Sequence, residues 1–449
     1  MQLSKNKKYQ YIFFFTIIIY SLFNGGNSNL LIQLNFILFS LFFFICTKDK
    51  NYNQHLNIFF KENKVSIFIY FLFLIYLIFQ IFPLPLDLLK FFSNYKFILI
   101  KKLNVDNSFS SISLSPANSF FQFLNFFTLL IIVLIIKMIF YTERHKFRFY
   151  LFLSSLGAFS SFCAVFLYLN GNPDILFIKN SSYKDSSTGF FINRTVFSVF
   201  LLFCLIGSLQ YLKMNNFVNK KDNNEIFFRK IYIRIFIIFI CIGIITSFSR
   251  ISNFLLIITL FYFFLENHYS TKGKNKSFRN IILLIICFDI LIVGYYFGTE
   301  KIIERFLFLN EQFVLDVEDA QNFTRIVIIN FGLENIKNFF LFGYGLGGFE
   351  TLFQVNFDVT DDKYANHVHS DLIQIFGELG LFGFTLLILS ISKFFWYKIF
   401  FDKLNMLLLF YLLVFLSFDF SLHIPLIQIL FIVFFIFNKK SRISFYGSS

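Results

Sequence analysis

Long apolar runs, separated by short polar connections, constrain this chain more than any other feature. The runs are about 17–22 residues long, the length that an α-helix needs to cross a bilayer. Of the 449 residues 57% are hydrophobic, and the mean hydropathy of +0.68 is far above that of a water-soluble domain. The sequence therefore predicts an all-α, polytopic membrane protein.

About twelve membrane-spanning helices are predicted from these runs. The runs cover residues 10–26, 29–46, 65–83, 118–136, 149–169, 191–212, 232–248, 251–265, 280–298, 371–390, 404–418 and 421–437. Three regions follow: helices one to nine in residues 1–298, an extramembrane loop in 299–370, and helices ten to twelve with a tail in 371–449. Inside the loop, residues 320–341 alternate polar and apolar side chains, which predicts a helix lying on the membrane surface.

The net charge of +14 is distributed unevenly along the chain. Most lysines and arginines fall in the connections that share a side with the two termini. By the positive-inside rule, both termini are expected in the cytoplasm. The basic excess is thus a topology signal, reinforced by anionic lipids, and no nucleic-acid partner is expected. The first helix is expected to stay uncleaved, because no small-residue cleavage site follows its lysines.

Polar side chains concentrate at four places on the side opposite the termini. In "HSDLIQIFGE", the spacing of Asp371, Gln374 and Glu378 puts them on one helical face. His367 and His369 come just before that face. Asp371, Gln374 and Glu378 thus form a polar stripe. A polar stripe that enters a membrane must face a cavity or polar partners. The other three places carry these residues: Asn193 and Arg194 in "GFFINRTVF", Arg250 in "TSFSRIS", and Arg325 in the predicted surface helix.

Each of these residues also has a purely structural explanation. Arg194 and Arg250 can extend to lipid head groups, and His369 can cap a helix. His423, in the last outer turn, is interpreted as structural. What favours a functional site is that several arginines and a histidine are predicted on one side of one membrane. The acidic residues of the loop lack the spacing of a calcium site, so no metal ion is expected.

The segment "HVHSDLIQIFGELGLFG" resembles the histidine signature of the O-antigen ligase and O-antigen polymerase superfamily of bacterial envelope glycosyltransferases. The pieces "SLSPANS", "FINRT", "SFSR" and "FGYGLGGF" support the resemblance in order and spacing. Family members usually have Asn after the motif histidine, where this chain has Ser370, and often Gly where it has Ile251. Counting back from Gln374 and Glu378 selects His369 as the motif histidine, with His367 as the alternate.

The resemblance implies a GT-C-like fold with a helical periplasmic loop before the tenth helix. It also implies transfer of a glycan from a polyprenyl diphosphate carrier to a hydroxyl acceptor, such as lipid A-core, at the periplasmic face of the inner membrane. Arg250 and Arg325 would bind the diphosphate, and His369 would act as the base or orient the acceptor. The remaining residues would contact substrate or support the site: Asn193, Arg194, His367, Asp371, Gln374 and Glu378.

No cofactor, metal or nucleotide is expected, because the lipid carrier supplies the activation and no phosphate-binding loop motif is present. The expected partners are the carrier-linked donor, the glycan acceptor and the bilayer. Four alternatives stay open: an O-antigen polymerase that joins lipid-linked repeat units, a relative in the same family that acts on protein acceptors or teichoic-type polymers, a polysaccharide transporter or flippase, and a structural scaffold. Convergence of Arg250, Arg325 and His369 in one outward-facing cavity would separate the enzymes from the other two.

Overall fold

The computed structural model describes most of the chain as helix. The described residues are 2–102, 108–174, 183–218, 223–271, 280, 325–356, 365–399 and 403–437. Within them, the only strand pairing is antiparallel and joins Leu84–Pro85 to Phe109–Ser110. The α-helices are α1 Gln2–Leu22, α2 Asn29–Thr47, α3 Lys50–Ile81, α4 Leu86–Phe92, α5 Asn94–Lys102, α6 Pro116–Ile139, α7 Glu143–Leu169, α8 Arg194–Val218, α9 Asn223–Thr246, α10 Arg250–Thr271, α11 Arg325–Ile336, α12 Phe349–Asn356, α13 Asp371–Ile399, α14 Lys403–Phe418 and α15 Pro425–Phe437.

Seven helices in the described part of the chain are long and apolar enough to cross a membrane. These are Asn29–Thr47, Tyr52–Ile81, Pro116–Ile139, Glu143–Leu169, Arg194–Met214, Arg250–Tyr269 and Asp371–Ser392. Helices α14 and α15 are apolar but shorter. The ninth predicted span, 280–298, lies outside the described residues except for residue 280. The all-α class is confirmed, and the seven helices agree with a multi-pass membrane protein.

The chain divides into two compact units. The first unit comprises Met1–Asn27, Ile139–Leu309 and Ile424–Phe431. Its central element is α8, because 94% of the apolar window in Arg194–Met214 is buried, as expected for a helix that is hydrophobic on all sides. A small residue lets a neighbouring helix approach closely. A Cβ added to Gly157 in α7 would overlap the side chain of Cys204 in α8.

The second unit comprises Ser28–Met138, Asn310–His423 and Ile432–Ser449. Here α13 packs against α3 around a buried apolar cluster that includes Phe73 and Leu379. Helix α13 begins at Asp371, where the predicted tenth span begins, but it is not continuous. At Gly380 the backbone has φ 64° and ψ 178°, a conformation almost restricted to glycine, and the helical hydrogen bonding is interrupted.

The backbone groups freed at this break are bonded by a segment that we call the glycine turn, Phe342–Phe349 ("FGYGLGGF"), and the residues just before it. Four hydrogen bonds join the two: Tyr344 N–H to Gly377 O (3.1 Å), Gly345 N–H to Glu378 O (2.9 Å), Leu381 N–H to Phe340 O (2.7 Å) and Phe382 N–H to Leu341 O (3.1 Å). An unsatisfied backbone group in a membrane costs several kcal/mol. The turn therefore makes the broken helix tolerable.

Two side chains of α3 complete the bonding at the break. The Tyr76 hydroxyl lies 2.7 Å from the Phe342 oxygen and 2.8 Å from the Leu379 oxygen. The Gln80 amide donates to the Phe342 oxygen at 2.8 Å and to the Glu378 oxygen at 3.1 Å. These bonds fix the first half of α13, which carries the polar stripe, against α3 and the glycine turn.

Replacing Gly343 by alanine is expected to destabilise the second unit strongly. Its φ is +69°, and an added Cβ would lie 2.2 Å from the Glu378 oxygen and 2.5 Å from the Glu378 carbonyl carbon, so backbone must move. We expect about 1 kcal/mol from the left-handed backbone and about 1–3 kcal/mol more from the overlap. The measurement is the midpoint of thermal unfolding of the detergent-solubilised protein.

Gly171→Ala is the matched control, because Gly171 has φ +80° but nothing within 4 Å of its Cβ position. It isolates the backbone cost from the overlap. Equal midpoints for the two variants would contradict the packing described for the glycine turn.

Candidate functional site

The predicted motif histidines lie in a short segment that precedes α13 and that we call the histidine loop, Ala365–Ser370. Its C-terminal end is anchored to the turn between α14 and α15. The Asp371 N–H donates to the Asp419 oxygen at 3.1 Å, and the Ser370 hydroxyl donates to the Leu416 oxygen at 3.1 Å. One Asp371 carboxylate oxygen accepts from the Leu422 N–H at 3.0 Å, and the other pairs with Nδ1 of His423. Asp371 is fully buried.

Gln374 holds the other side of the loop. Its side-chain oxygen accepts from the Val368 N–H at 3.1 Å, and its amide nitrogen donates to Oε1 of Glu378 at 3.0 Å. Gln374 and Glu378 are both buried. The polar stripe thus faces protein groups in this arrangement, and its predicted contact with substrate stays a prediction.

The same amide distinguishes the two histidines. Because the Gln374 oxygen is committed to the Val368 N–H, the amide nitrogen is the group that faces Nδ1 of His367, at 3.4 Å. Nδ1 of His367 must then be the acceptor, so the neutral ring carries its proton on Nε2. The His367 ring also stacks on Phe420, with centroids 4.7 Å apart and planes 9° apart. His367 can therefore donate a hydrogen bond through Nε2, but it is poorly arranged to act as a base.

His369 differs from His367 in its backbone conformation and in the bonding of its ring. Its backbone has φ 62°, a left-handed conformation that costs a side-chain-bearing residue about 1 kcal/mol. No described residue bonds its Nδ1, which is buried. Burial, and after it the positive charge of Arg325, lower the pKa of His369 to about 4. The ring is therefore neutral at pH 7, with a lone pair able to take a proton.

Arg325 is the first residue of α11, and its charge acts on both His369 and Asp419. Helix α11 packs on the histidine loop where Gly332 meets Val368: an added Cβ on Gly332 would lie 3.0 Å from the Val368 side chain. The helix predicted in residues 320–341 is thus present as Arg325–Ile336, while residues 320–324 lie outside the described part. Of the three predicted catalytic residues, Arg325 and His369 are close enough for the charge of Arg325 to lower the pKa of His369, and their joint role stays a prediction.

The other predicted residues lie in the first unit. Asn193 caps α8, its side-chain oxygen accepting from the Thr195 N–H at 2.7 Å, and Arg194 lies over the Tyr183 ring at 5.1 Å. Arg250 begins α10. Hydroxyl pairs join the starts of these helices: Ser198 to Ser252 at 2.7 Å, and Ser249 to Thr195 at 3.3 Å. The "FINRT" and "SFSR" pieces therefore lie side by side, and the convergence of Arg250 with Arg325 and His369 stays a prediction.

Four residues beside the predicted site were not identified from the sequence: His423, Asp419, Tyr76 and Gln80. The sequence did contain an indication of His423. Asp371, at the edge of an apolar segment, needs a partner, and His423 is on the same predicted side of the membrane. Tyr76 and Gln80 gave none, because their acceptors are backbone oxygens more than 260 residues further along the chain. Among the described residues, no group of three or more His, Cys, Asp or Glu side chains is arranged to hold a metal ion.

Comparison with known proteins gives one finding. Residues 235–388 match the family model described as O-Antigen ligase. The resemblance to the O-antigen ligase and polymerase superfamily is thereby confirmed for a segment that includes Arg250, Arg325, His367, His369 and the polar stripe. No curated protein and no solved structure matches the chain.

Proposed function

We propose that this protein is a glycosyltransferase of the O-antigen ligase type, which transfers a glycan from a polyprenyl diphosphate carrier to a hydroxyl acceptor. What supports the proposal is that the charge of Arg325 acts on His369, a buried imidazole with a lowered pKa, and that both residues lie inside the segment that matches the O-antigen ligase family. A base next to a phosphate-binding cation is what attack by a hydroxyl on a diphosphate-activated sugar requires.

The proposed step forms one bond and breaks one. The acceptor oxygen attacks the anomeric carbon of the donor glycan, the bond from that carbon to the diphosphate oxygen breaks, and the electron pair leaves with the diphosphate. The acceptor proton moves to the ring nitrogen of His369. Arg325 offsets the growing negative charge on the leaving group. The new imidazolium then lies close to the diphosphate anion, which favours the proton transfer.

Arg250 and Arg194 are proposed to bind the donor as well. A guanidinium fork can bind two phosphate oxygens at once, and it keeps its charge at any working pH. With this much fixed positive charge, the reaction is proposed to need neither metal ion nor nucleotide. The polyprenyl tail would lie in the bilayer, with the site on the periplasmic face of the inner membrane, because both termini are predicted to be cytoplasmic.

Two alternatives fit parts of the same site. A polymerase would use the same base and cations but take a second lipid-linked glycan as acceptor. A transporter is favoured by one observation, the break at Gly380 within an apolar helix, because broken helices are common in transporters. The neutral histidine beside an arginine favours transfer chemistry over transport.

The experiment that tests the proposal is to incubate membranes containing the protein with a labelled polyprenyl diphosphate glycan and lipid A-core, with and without EDTA. We expect label on lipid A-core in both cases. Longer lipid-linked glycan would indicate a polymerase. Label that crosses the membrane while still attached to its carrier would indicate a transporter and contradict the proposal.

The pH dependence of transfer is expected to reflect His369. The base must be deprotonated, so kcat falls as the pH falls through its pKa. Because burial and Arg325 hold that pKa at about 4 instead of the ordinary 6.5, kcat should stay level from pH 8 to about pH 5. Arg325→Gln removes the neighbouring charge and should shift the acid limb to higher pH. A wild-type limb centred near 6.5, unmoved by Arg325→Gln, would contradict the assignment.

A further inference from the structure

His423 lies beside the histidine loop, mostly covered by protein, and the transfer step proposed above does not use it. Its Nδ1 pairs with the Asp371 carboxylate, and its ring lies 5.2 Å from the His367 ring, centroid to centroid. The side chain is 12% exposed, while that of Asp371 is fully buried. A carboxylate buried to this degree stays ionised only with a cation or several donors beside it. His423 can supply that cation.

The groups around His423 favour its charged form. Burial alone would lower the pKa of His423, but the Asp371 carboxylate, the Glu378 carboxylate and the Phe420 carbonyl outweigh it and raise the pKa to about 9. His367 faces the same ring, and its own pKa is lowered to about 3, by burial first and then by the His423 charge. At pH 7 the set therefore holds a charged His423 and a neutral His367.

The position of Asp371 gives the pair a role in the reaction. Asp371 is two residues after His369, and its contacts with Asp419, Leu422 and His423 anchor that end of the histidine loop. His369 itself has a left-handed backbone, so its ring direction depends on both ends of the loop being held. Without the imidazolium, the buried carboxylate would lose its balancing charge, and the anchor would loosen.

We propose that His423 is a positioning residue: its charge balances Asp371, and the pair holds the histidine loop so that the His369 ring faces the acceptor hydroxyl. The inference rests on the proposed function, because it takes His369 as the base. It predicts that His423 affects the rate of the chemical step and not the binding of the donor.

Three variants test the pair: His423→Gln, Asp371→Asn and the double variant. His423→Gln leaves a buried carboxylate unbalanced, so kcat should fall about 10-fold or more while the donor KM stays within about 2-fold. Asp371→Asn should do the same. The double variant has no charge left in the pair and keeps a hydrogen-bonding pair, so kcat should recover to within about 3-fold of the wild type. Additive losses in the double variant would overturn the proposal.

The pH profile separates positioning from general destabilisation. In the wild type, kcat should fall reversibly as the pH rises through about 9, where His423 loses its charge. In His423→Gln this basic limb should be missing. His268→Gln is the matched control, because His268 is an exposed histidine of α10, and it should keep the wild-type profile. A basic limb that persists in His423→Gln would overturn the proposal.

Hydrogen exchange of the peptide 365–376 adds a readout that does not depend on transfer. Under the proposal, the backbone amides of this peptide exchange faster in His423→Gln than in the wild type at pH 7, and the double variant restores the protection. If the wild type transfers no glycan, the proposed function fails, and exchange still decides whether His423 anchors the loop. Unchanged exchange in His423→Gln would overturn the anchor itself.

Discussion

Alanine in place of His369 is expected to lower kcat for glycan transfer about 10²- to 10⁴-fold, the range that loss of a general base produces. His369 is the histidine of the loop whose Nδ1 no described residue bonds and whose pKa the charge of Arg325 lowers. Donor binding should be largely kept, because the arginines that would hold the diphosphate stay in place. The measurement is kcat and donor KM for transfer in membranes, with protein levels matched.

Two histidine variants serve as controls for that experiment. His367→Ala should cost much less than His369→Ala, because Gln374 fixes His367 as a donor on Nε2 and its Nδ1 is already an acceptor. His268→Ala removes an exposed histidine of α10 and should have no effect. An inactive His367→Ala together with a fully active His369→Ala would show that the motif is shifted by two residues.

Arg325→Lys is expected to lower transfer about 10- to 100-fold although the positive charge is kept. Lysine lacks the planar fork, so one of two charge-assisted hydrogen bonds to the diphosphate is lost, and such a bond is worth about 1.5–3 kcal/mol. Arg250→Lys should act in the same direction, since Arg250 is proposed to bind the same group. The measurement is transfer rate at saturating acceptor, with the amount of inserted protein quantified.

Arg148→Lys is the matched arginine control. Arg148 bonds to Gln10 at 3.2 Å in the first unit and has no proposed part in the reaction, so the exchange should leave the rate unchanged. If Arg250→Lys and Arg325→Lys were as active as Arg148→Lys, the proposed diphosphate site would be wrong.

Much of the fold could be predicted from the sequence because bilayer-length apolar runs are a local signal. The predicted span 29–46 appears as Asn29–Thr47, and the predicted start at residue 371 is the start of α13. Helix α3 runs from Lys50 to Ile81, but its backbone is non-helical at Asn63 (φ −119°, ψ 22°), so the predicted span 65–83 begins just after this kink. The helical turns before the kink were not predicted, because hydropathy does not mark where a helix continues into its polar connection.

The break of α13 at Gly380 could not be predicted from the local sequence pattern. Three glycines in "GELGLFG" indicate close packing, but nothing nearby says which of them interrupts the helix. The choice depends on the glycine turn, some 35 residues earlier, and on Tyr76 and Gln80, about 300 residues earlier. Such long-range hydrogen bonds have no periodicity to detect.

The candidate site could be predicted only in part, because only some of its contacts are local in the sequence. The spacing of Asp371, Gln374 and Glu378 is local, and the structure shows all three buried along α13. The pairing of Asp371 with His423 joins residues 52 positions apart, and the effect of the Arg325 charge on His369 links α11 to the histidine loop. Neither relationship can be derived from positions in the sequence, so both were found only in the folded structure.

The leaving group provides the most direct test of the central claim, that Arg325 and His369 form the reaction centre of a transferase acting on a diphosphate-linked glycan. Purified protein in lipid nanodiscs should release free polyprenyl diphosphate and form glycosylated acceptor in equal amounts, with no nucleotide added. His369→Ala and Arg325→Lys should slow both products together. Donor that stays intact in the presence of acceptor, or glycosylated acceptor formed without release of the diphosphate, would contradict the account.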